Sequence, residues 1–367
     1  MSKKIVKIVI TGGPCAGKTT SMSVIQKELS KKNWKVLFLP ETATELITAG
    51  IAPWTAKTNG DFQKYLMRLQ IFKERIFEQA AEEMKDEKIL IVCDRGLLDN
   101  KIYMTDEEFN DCLKELDKSE VELRDNYDGV FHLVTAANGA VDFYTTANNS
   151  ARTETPEQAI EIDNGLINSW TGHPHLRVID NSSDFGHKLD KLIQEIYSLL
   201  GEPTPFEIER KFLIKYPNLE KLTALPYCKK VNIIQTYLVD SGDFEERRIR
   251  QRGENGNYVY YETAKKRITK SKRVEVEKRL TEREYIELLM EADITRGQIR
   301  KDRYCLTYNN LYYEIDVYPF WKDKAIMEIE LKHEKDTFEI PEFIQVIKEV
   351  TGDSQYYNYN IAETLKK

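Results

Sequence analysis

The spacing of apolar and polar positions changes once along this chain, near residue 201. Upstream, short apolar runs rich in β-branched residues alternate with stretches of helical period. The runs predict strands at 5–10, 35–39, 88–93, 129–135 and 176–180. Helical spacing predicts helices near 18–31, 61–85, 106–118, 156–169 and 186–200. Such alternation implies a parallel sheet covered by helices on both faces. Downstream the period becomes two. Eight strand-like segments begin near 207, 231, 245, 258, 273, 297, 311 and 325, with helices at about 281–293 and 340–351. Eight antiparallel strands can close into a barrel, which removes exposed edges.

Gly201-Glu202-Pro203-Thr204-Pro205 separates the two patterns, since it stops a helix and stiffens the chain beyond it. The expected domains are 1–201 and 206–367, the first α/β and the second α+β. No internal repeat or low-complexity segment interrupts them.

Composition narrows the classes. The chain has 367 residues, is 41% hydrophobic and carries a net charge of −7. Its cores can be sizeable, and no apolar run approaches the ~20 residues that cross a bilayer. The run after Lys3 and Lys4 is too short for a secretory signal, so the expected location is cytoplasmic, or peripheral at a membrane. The cysteines at 15, 93, 112, 228 and 305 never form C-x-x-C, which speaks against a disulfide framework or a zinc knuckle. Acidic balance makes nucleic acid an unexpected partner. From Glu246 to Arg273, however, ten Lys or Arg face three Glu, a local stripe suited to a polyanion or simply to solvent.

The most specific chemistry lies between the first predicted strand and helix. Gly12-Gly13-Pro14-Cys15-Ala16-Gly17-Lys18-Thr19, followed by Thr20, has the spacing G-x4-G-K-T. Glycines let the backbone curl around an anion, and the order strand, loop, helix aims N–H groups at phosphates. Lys18 supplies charge to the β and γ phosphates of GTP or ATP, and the Thr19 hydroxyl can ligate Mg2+ or Mn2+. Cys15 is a small filler or a loop thiolate.

Asp94 ends the apolar run 89–93, where a carboxylate can hold Mg2+ through water. Arg95 follows as a phosphate contact or a structural ion pair. Glu41 stands at another strand end as a candidate general base, substrate contact or helix cap. Arg152, in the polar stretch 145–155, is a candidate lid arginine. His173-Pro174-His175 reads as a turn rather than a metal site. This half resembles small P-loop ATPases and nucleoside-kinase-like proteins with Asp-Arg-Gly after the third strand. The resemblance covers about residues 4–200 and implies a 2-3-1-4-5 sheet. Its motifs fit a kinase and a hydrolase equally.

In the second half, charged pairs recur on one strand parity. They are Glu207, Glu209 and Lys211; Arg248 and Arg250; Thr263 and Lys265; Arg273, Glu275 and Glu277; Lys301 and Arg303; Glu314 and Asp316; then Glu328, Glu330 and Lys332. Periodicity alone allows these charges to face solvent. Their grouping argues otherwise, because E-x-E pairs repel without a cation and R-x-R suits a phosphate chain. The opening E-x-E-x-K resembles the CYTH or triphosphate-tunnel metalloenzyme family over about residues 206–362. That resemblance implies a charged tunnel, with carboxylates on Mg2+ or Mn2+ and with Lys and Arg on a triphosphate. The two halves in this order are similar to the family of the TRPL translocation defect protein, which implies GTP binding and phosphoinositide or phosphatidic acid recognition. The expected activity is metal-dependent nucleoside triphosphate hydrolysis or phosphoryl transfer, with a tunnel that binds a second triphosphate, with or without cleaving it. The alternative is a nucleotide-regulated module that binds anionic lipid headgroups without turnover in the tunnel.

Overall fold

The computed structural model describes residues 3–141, 144, 154–202, 208–239, 246–269, 272–331 and 337–365. They fall into two compact units, Met1–Leu200 and Gly201–Lys367.

The first unit is a five-stranded sheet. Its strands are β1 (Lys4–Thr11), β2 (Lys35–Leu39), β3 (Lys88–Asp94), β4 (Gly129–Leu133) and β5 (Leu176–Ile179). The order is β2-β3-β1-β4-β5, and every pairing is parallel. Helices connect them: α1 (Lys18–Ser30), α2 (Thr42–Thr48), α3 (Asn59–Glu83), α4 (Asp106–Leu116), α5 (Glu120–Arg124), α6 (Pro156–Trp170) and α7 (Phe185–Leu200). Ile8, Ile10, Leu90, Val92, Phe131 and Leu133 pack with Ile25 and Leu29 of α1 and Leu192 and Ile196 of α7. Lys7 breaks the apolar run of β1 and is itself buried. Its ammonium meets Glu74 at 3.0 Å and Glu78 at 2.5 Å on α3, which satisfies the charge. The short helices α2 and α5 are too brief to show a helical period, so the apolar pattern did not predict them.

The second unit contains all eight expected strands: β6 (Ile208–Lys215), β7 (Cys228–Tyr237), β8 (Glu246–Glu254), β9 (Asn257–Thr269), β10 (Lys272–Leu280), β11 (Ile299–Tyr308), β12 (Leu311–Val317) and β13 (Lys324–Leu331). Helices α8 (Leu219–Thr223), α9 (Glu282–Leu288) and α10 (Asn358–Thr364) accompany them. The helix expected at 340–351 does not form. In its place Val346–Glu349 is a ninth strand, β14, paired with β6. Val346, Ile347 and Val350 are β-branched and lower helix propensity there. The antiparallel order is β10-β9-β8-β7-β11-β12-β13-β6-β14. Among the described residues β10 and β14 are not paired with each other.

Both faces of this sheet carry buried side chains. One parity supplies Phe212, Ile214, Tyr304, Leu306, Tyr313, Ile315, Met327 and Ile329, which pack with Leu222 of α8 and with Ile344. The other parity holds Lys301, Arg303 and Asp316, exposed by only 5%, 9% and 0%. The solvent-facing reading of the charged parity therefore fails for these strands.

Candidate phosphate site and charged sheet face

The parallel register sets the first site. Ile10 of β1 pairs with Asp94 of β3, and Cys93 pairs with Leu39 of β2. The phosphate loop, Asp94 and Glu41 thus leave adjacent strands at one carboxyl edge, where ligands bind in such sheets. Gly12 has φ of +140°, and a Cβ there would lie 2.1 Å from the Leu133 carbonyl oxygen. Only glycine fits. Cys15 is also left-handed, at φ +57°. Thr19 and Thr20 open α1 with exposed side chains.

Lys18 donates to the Gly12 carbonyl oxygen at 2.9 Å and more weakly to that of Gly13 at 3.4 Å. Lost hydration, with Arg95 nearby, pushes its pKa down to about 8. Burial raises the pKa of Asp94, whose Oδ1 is buried with no hydrogen-bond partner. Arg95 donates through Nε to Glu41 Oε1 at 2.8 Å, and its Nη1 is buried without a hydrogen bond, 3.6 Å from Asp99. The ion-pair reading of Arg95 is the one the structure adopts. Glu41 stands at the N-cap of α2, but its side chain does not cap the helix. Instead it accepts from Arg95 and, at 2.6 Å, from the Thr44 hydroxyl. Burial alone would raise its pKa; Arg95 and Thr44 bring it down to about 2. The result is an ionised carboxylate beside the loop at any physiological pH.

Several residues that hold the loop belong to no sequence motif. Asp163 of α6 accepts from the Gly13 N–H at 2.7 Å and the Thr135 N–H at 3.2 Å, with His132 Nε2 at 3.1 Å. Thr135 donates to the Pro14 carbonyl oxygen at 2.5 Å, and Lys188 of α7 donates to that of Ala16 at 3.2 Å. The contacts to Gly13, Pro14 and Ala16 span more than a hundred positions, so no local pattern reports them. The sequence does show the start of α6, a capping box of Thr155 and Gln158 with Pro156 at the first helical position. His173 and His175 lie in a turn, where His173 Nε2 is 3.0 Å from the Tyr127 carbonyl oxygen. Arg152 lies outside the described residues.

In the second unit the antiparallel register gathers charge on one wall. Lys211 faces Glu328, Glu328 faces Glu314, and Asp316 faces Arg303 across successive strand pairs. Arg303 is bidentate to Asp316 at 2.7 Å through Nε and Nη2; it also bonds Glu314 and reaches Glu328 at 3.3 Å. Lys301 bonds Asp316, and Lys211 meets Glu328 at 2.7 Å. The lysine and arginine neighbours hold Glu328 well below the usual carboxylate range, although burial opposes them. Glu209 pairs with Glu330 in register; its side chain is 42% exposed, and partial loss of hydration with Glu328 nearby raises its pKa.

Further along the same sheet, β8 carries a row of arginines. Arg248 faces Thr263 and lies 3.3 Å from Glu246; Arg250 donates to Glu277 at 2.7 Å while its Nε is buried without a hydrogen bond. Arg252, fully buried, extends the row. Lys265 pairs with Glu246 in register. Arg273 and Glu275 lie on β10, with Glu275 opposite Lys265. Their side chains, and Glu207 and Lys332, lie outside the described residues. Among the described residues no cluster of three or more Asp, Glu, His or Cys side chains is arranged to hold a metal ion. In the second unit this follows from the pairing, because Glu314, Asp316 and Glu328 are engaged by Arg303, Lys301 and Lys211.

Residues 7–188 match the family model described as an AAA domain. No curated protein matches the chain. Among solved structures, one described as an inorganic triphosphatase is 26% identical; it covers 43% of this chain and 95% of its own, with a TM-score of 0.31. The deoxyadenosine kinase of M. mycoides with bound dATP is 16% identical, covers 52% of this chain and 98% of its own, and has a TM-score of 0.37. The thymidylate kinase of Ehrlichia chaffeensis is 15% identical over 52% of this chain and 98% of its own, with a TM-score of 0.34. Among the described residues no helix is long and apolar enough to cross a membrane.

Proposed function

We propose that the first unit binds a nucleoside triphosphate and catalyses metal-dependent phosphoryl transfer or hydrolysis. The observation that carries this reading is the orphaned Asp94 Oδ1, buried at the carboxyl edge beside Lys18. A buried carboxylate oxygen without a donor is costly unless a ligand completes it. A hydrated Mg2+ suits that oxygen and the exposed Thr19 hydroxyl; when bound it would neutralise phosphate charge. The protein's own groups do the rest. Gly12 and Gly17 let the loop backbone approach the phosphates, and Lys18 supplies a mobile cation. Glu41, kept ionised by Arg95, can accept a proton from an attacking water or hydroxyl.

For the second unit we propose a triphosphate-binding tunnel. Burial of Lys301, Arg303 and Asp316 on the charged parity supports an inward-facing polar wall. Arg248, Arg250 and Arg252 are the cations suited to a phosphate chain. Glu209 and Glu330, opposite each other in register and not held by Arg303, are the carboxylates suited to a divalent cation, which would relieve their repulsion.

Phosphate release from ATP, GTP and tripolyphosphate, each with Mg2+ and with Mn2+, tests both proposals when Lys18→Ala protein runs alongside. Nucleoside triphosphate turnover that disappears in the variant supports the first site. Tripolyphosphate cleavage that persists in the variant supports a catalytic tunnel. Absence of any release from the parent protein would overturn the catalytic reading of both units.

A further inference from the structure

Phe185 opens α7 yet leaves 46% of its surface exposed. The buried face of that helix consists of Lys188, Leu192, Ile193, Ile196 and Leu200, so the ring does not serve the core. It lies instead on the phosphate loop. A Cβ on Gly17 would come within 2.6 Å of Phe185 Cε2, and Gly17 is left-handed at φ +93°. The absent side chain is what lets the ring approach.

The ring is also firmly placed. One turn along, the buried Lys188 ammonium donates to the carbonyl oxygens of Ala16 at 3.2 Å and Val134 at 2.6 Å and to Asn181 Oδ1 at 2.7 Å. Asn181 in turn donates to the carbonyl oxygens of Thr135 at 2.8 Å and Asn138 at 2.6 Å. Asp184 caps the start of α7 by accepting from the Gly186 N–H at 2.9 Å and the His187 N–H at 3.1 Å. Three tethers therefore fix an exposed aromatic ring against a loop built to hold phosphates.

We propose that Phe185 is the stacking platform for the base of the nucleotide held by this loop. The inference rests on the nucleotide reading of the first unit. A triphosphate seated on the loop directs its sugar and base to one of the loop's walls, and Phe185 offers apolar π surface there. Every nucleobase has a π face, so this contact accepts adenine and guanine alike and supplies affinity rather than base selection.

Calorimetry with non-hydrolysable ATP and GTP analogues tests it, using the parent protein, Lys18→Ala and three variants at position 185. Phe185→Ala should weaken the Lys18-dependent binding of both analogues by about tenfold. Phe185→Tyr should restore it. Phe185→Leu, which keeps apolar contact with Gly17 but has no ring, should not. If the parent shows no Lys18-dependent binding, the nucleotide reading itself falls. If that binding is present and Phe185→Ala leaves it unchanged, the stacking proposal alone is overturned. Full recovery by Phe185→Leu would overturn it too, because packing on Gly17 would then account for the effect.

Discussion

Arg95 reaches Glu41 across the carboxyl edge of the sheet, Nε to Oε1 at 2.8 Å, from a backbone held at φ +72°. A left-handed arginine costs on the order of 1 kcal/mol. The Arg95 N–H bond to the Ile10 carbonyl oxygen, 3.1 Å, helps to hold that turn. The geometry orients a cation toward a carboxylate whose ionisation burial opposes.

Arg95→Gln should therefore raise the pKa of Glu41 from about 2, because burial then acts with less opposition. A depressed carboxylate pKa is lost on the acid side, so the acidic limb of kcat/KM should move to higher pH. A pH–rate profile checks this. An unmoved acidic limb would remove Glu41 from the role of base.

Lys18→Ala should weaken nucleotide binding by about ten- to hundredfold, the range for hydrogen bonds to charged groups. Its pKa of about 8 adds a pH signature. The charged form prevails below that value, so affinity in the parent should decline as pH rises through it. Near pH 8 binding should also take up a proton, because phosphates favour the ammonium. Calorimetry in buffers of different ionisation enthalpy reads that uptake, which Lys18→Ala should abolish.

Asp163→Ala should loosen the loop from behind. It leaves the buried Gly13 and Thr135 N–H groups without their carboxylate, at about 1–3 kcal/mol each. Thermal unfolding should show the loss, and nucleotide KM should rise. Asp163→Asn, which keeps one acceptor oxygen, should recover part of both. Stability and KM equal to the parent's in Asp163→Ala would refute the clamp.

In the buried charge cluster, Arg303→Met should destabilise the second unit by about 3–5 kcal/mol, because Asp316 and Glu314 lose their bidentate and single bonds to it. Hydrogen exchange should quicken in β11, β12 and β13, while β1 and β3 keep their protection. Uniform protection throughout would mean that the cluster contributes little to the fold.

Local chemistry was enough to announce the phosphate loop, since glycine spacing, Lys18 and Thr19 act through their own backbone. Apolar runs likewise announced the five parallel strands, because a strand buried on both faces is apolar along most of its length, with Lys7 of β1 tolerated through its pairing with Glu74 and Glu78. Period-two spacing found eight strands and the charged parity, but not the side on which that parity would lie. Only the antiparallel register decided it, by placing Arg303 against Asp316 and Lys211 against Glu328 so that buried charges neutralise one another. The same holds for Asp163 and Lys188, whose partners in the loop lie more than a hundred residues away in sequence. The 340–351 segment failed for a related reason, since pairing with β6 outweighed a weak helical period. Periodicity reports which face of an element is apolar; what covers that face, and which charge meets which, is settled by contacts between elements distant in the chain.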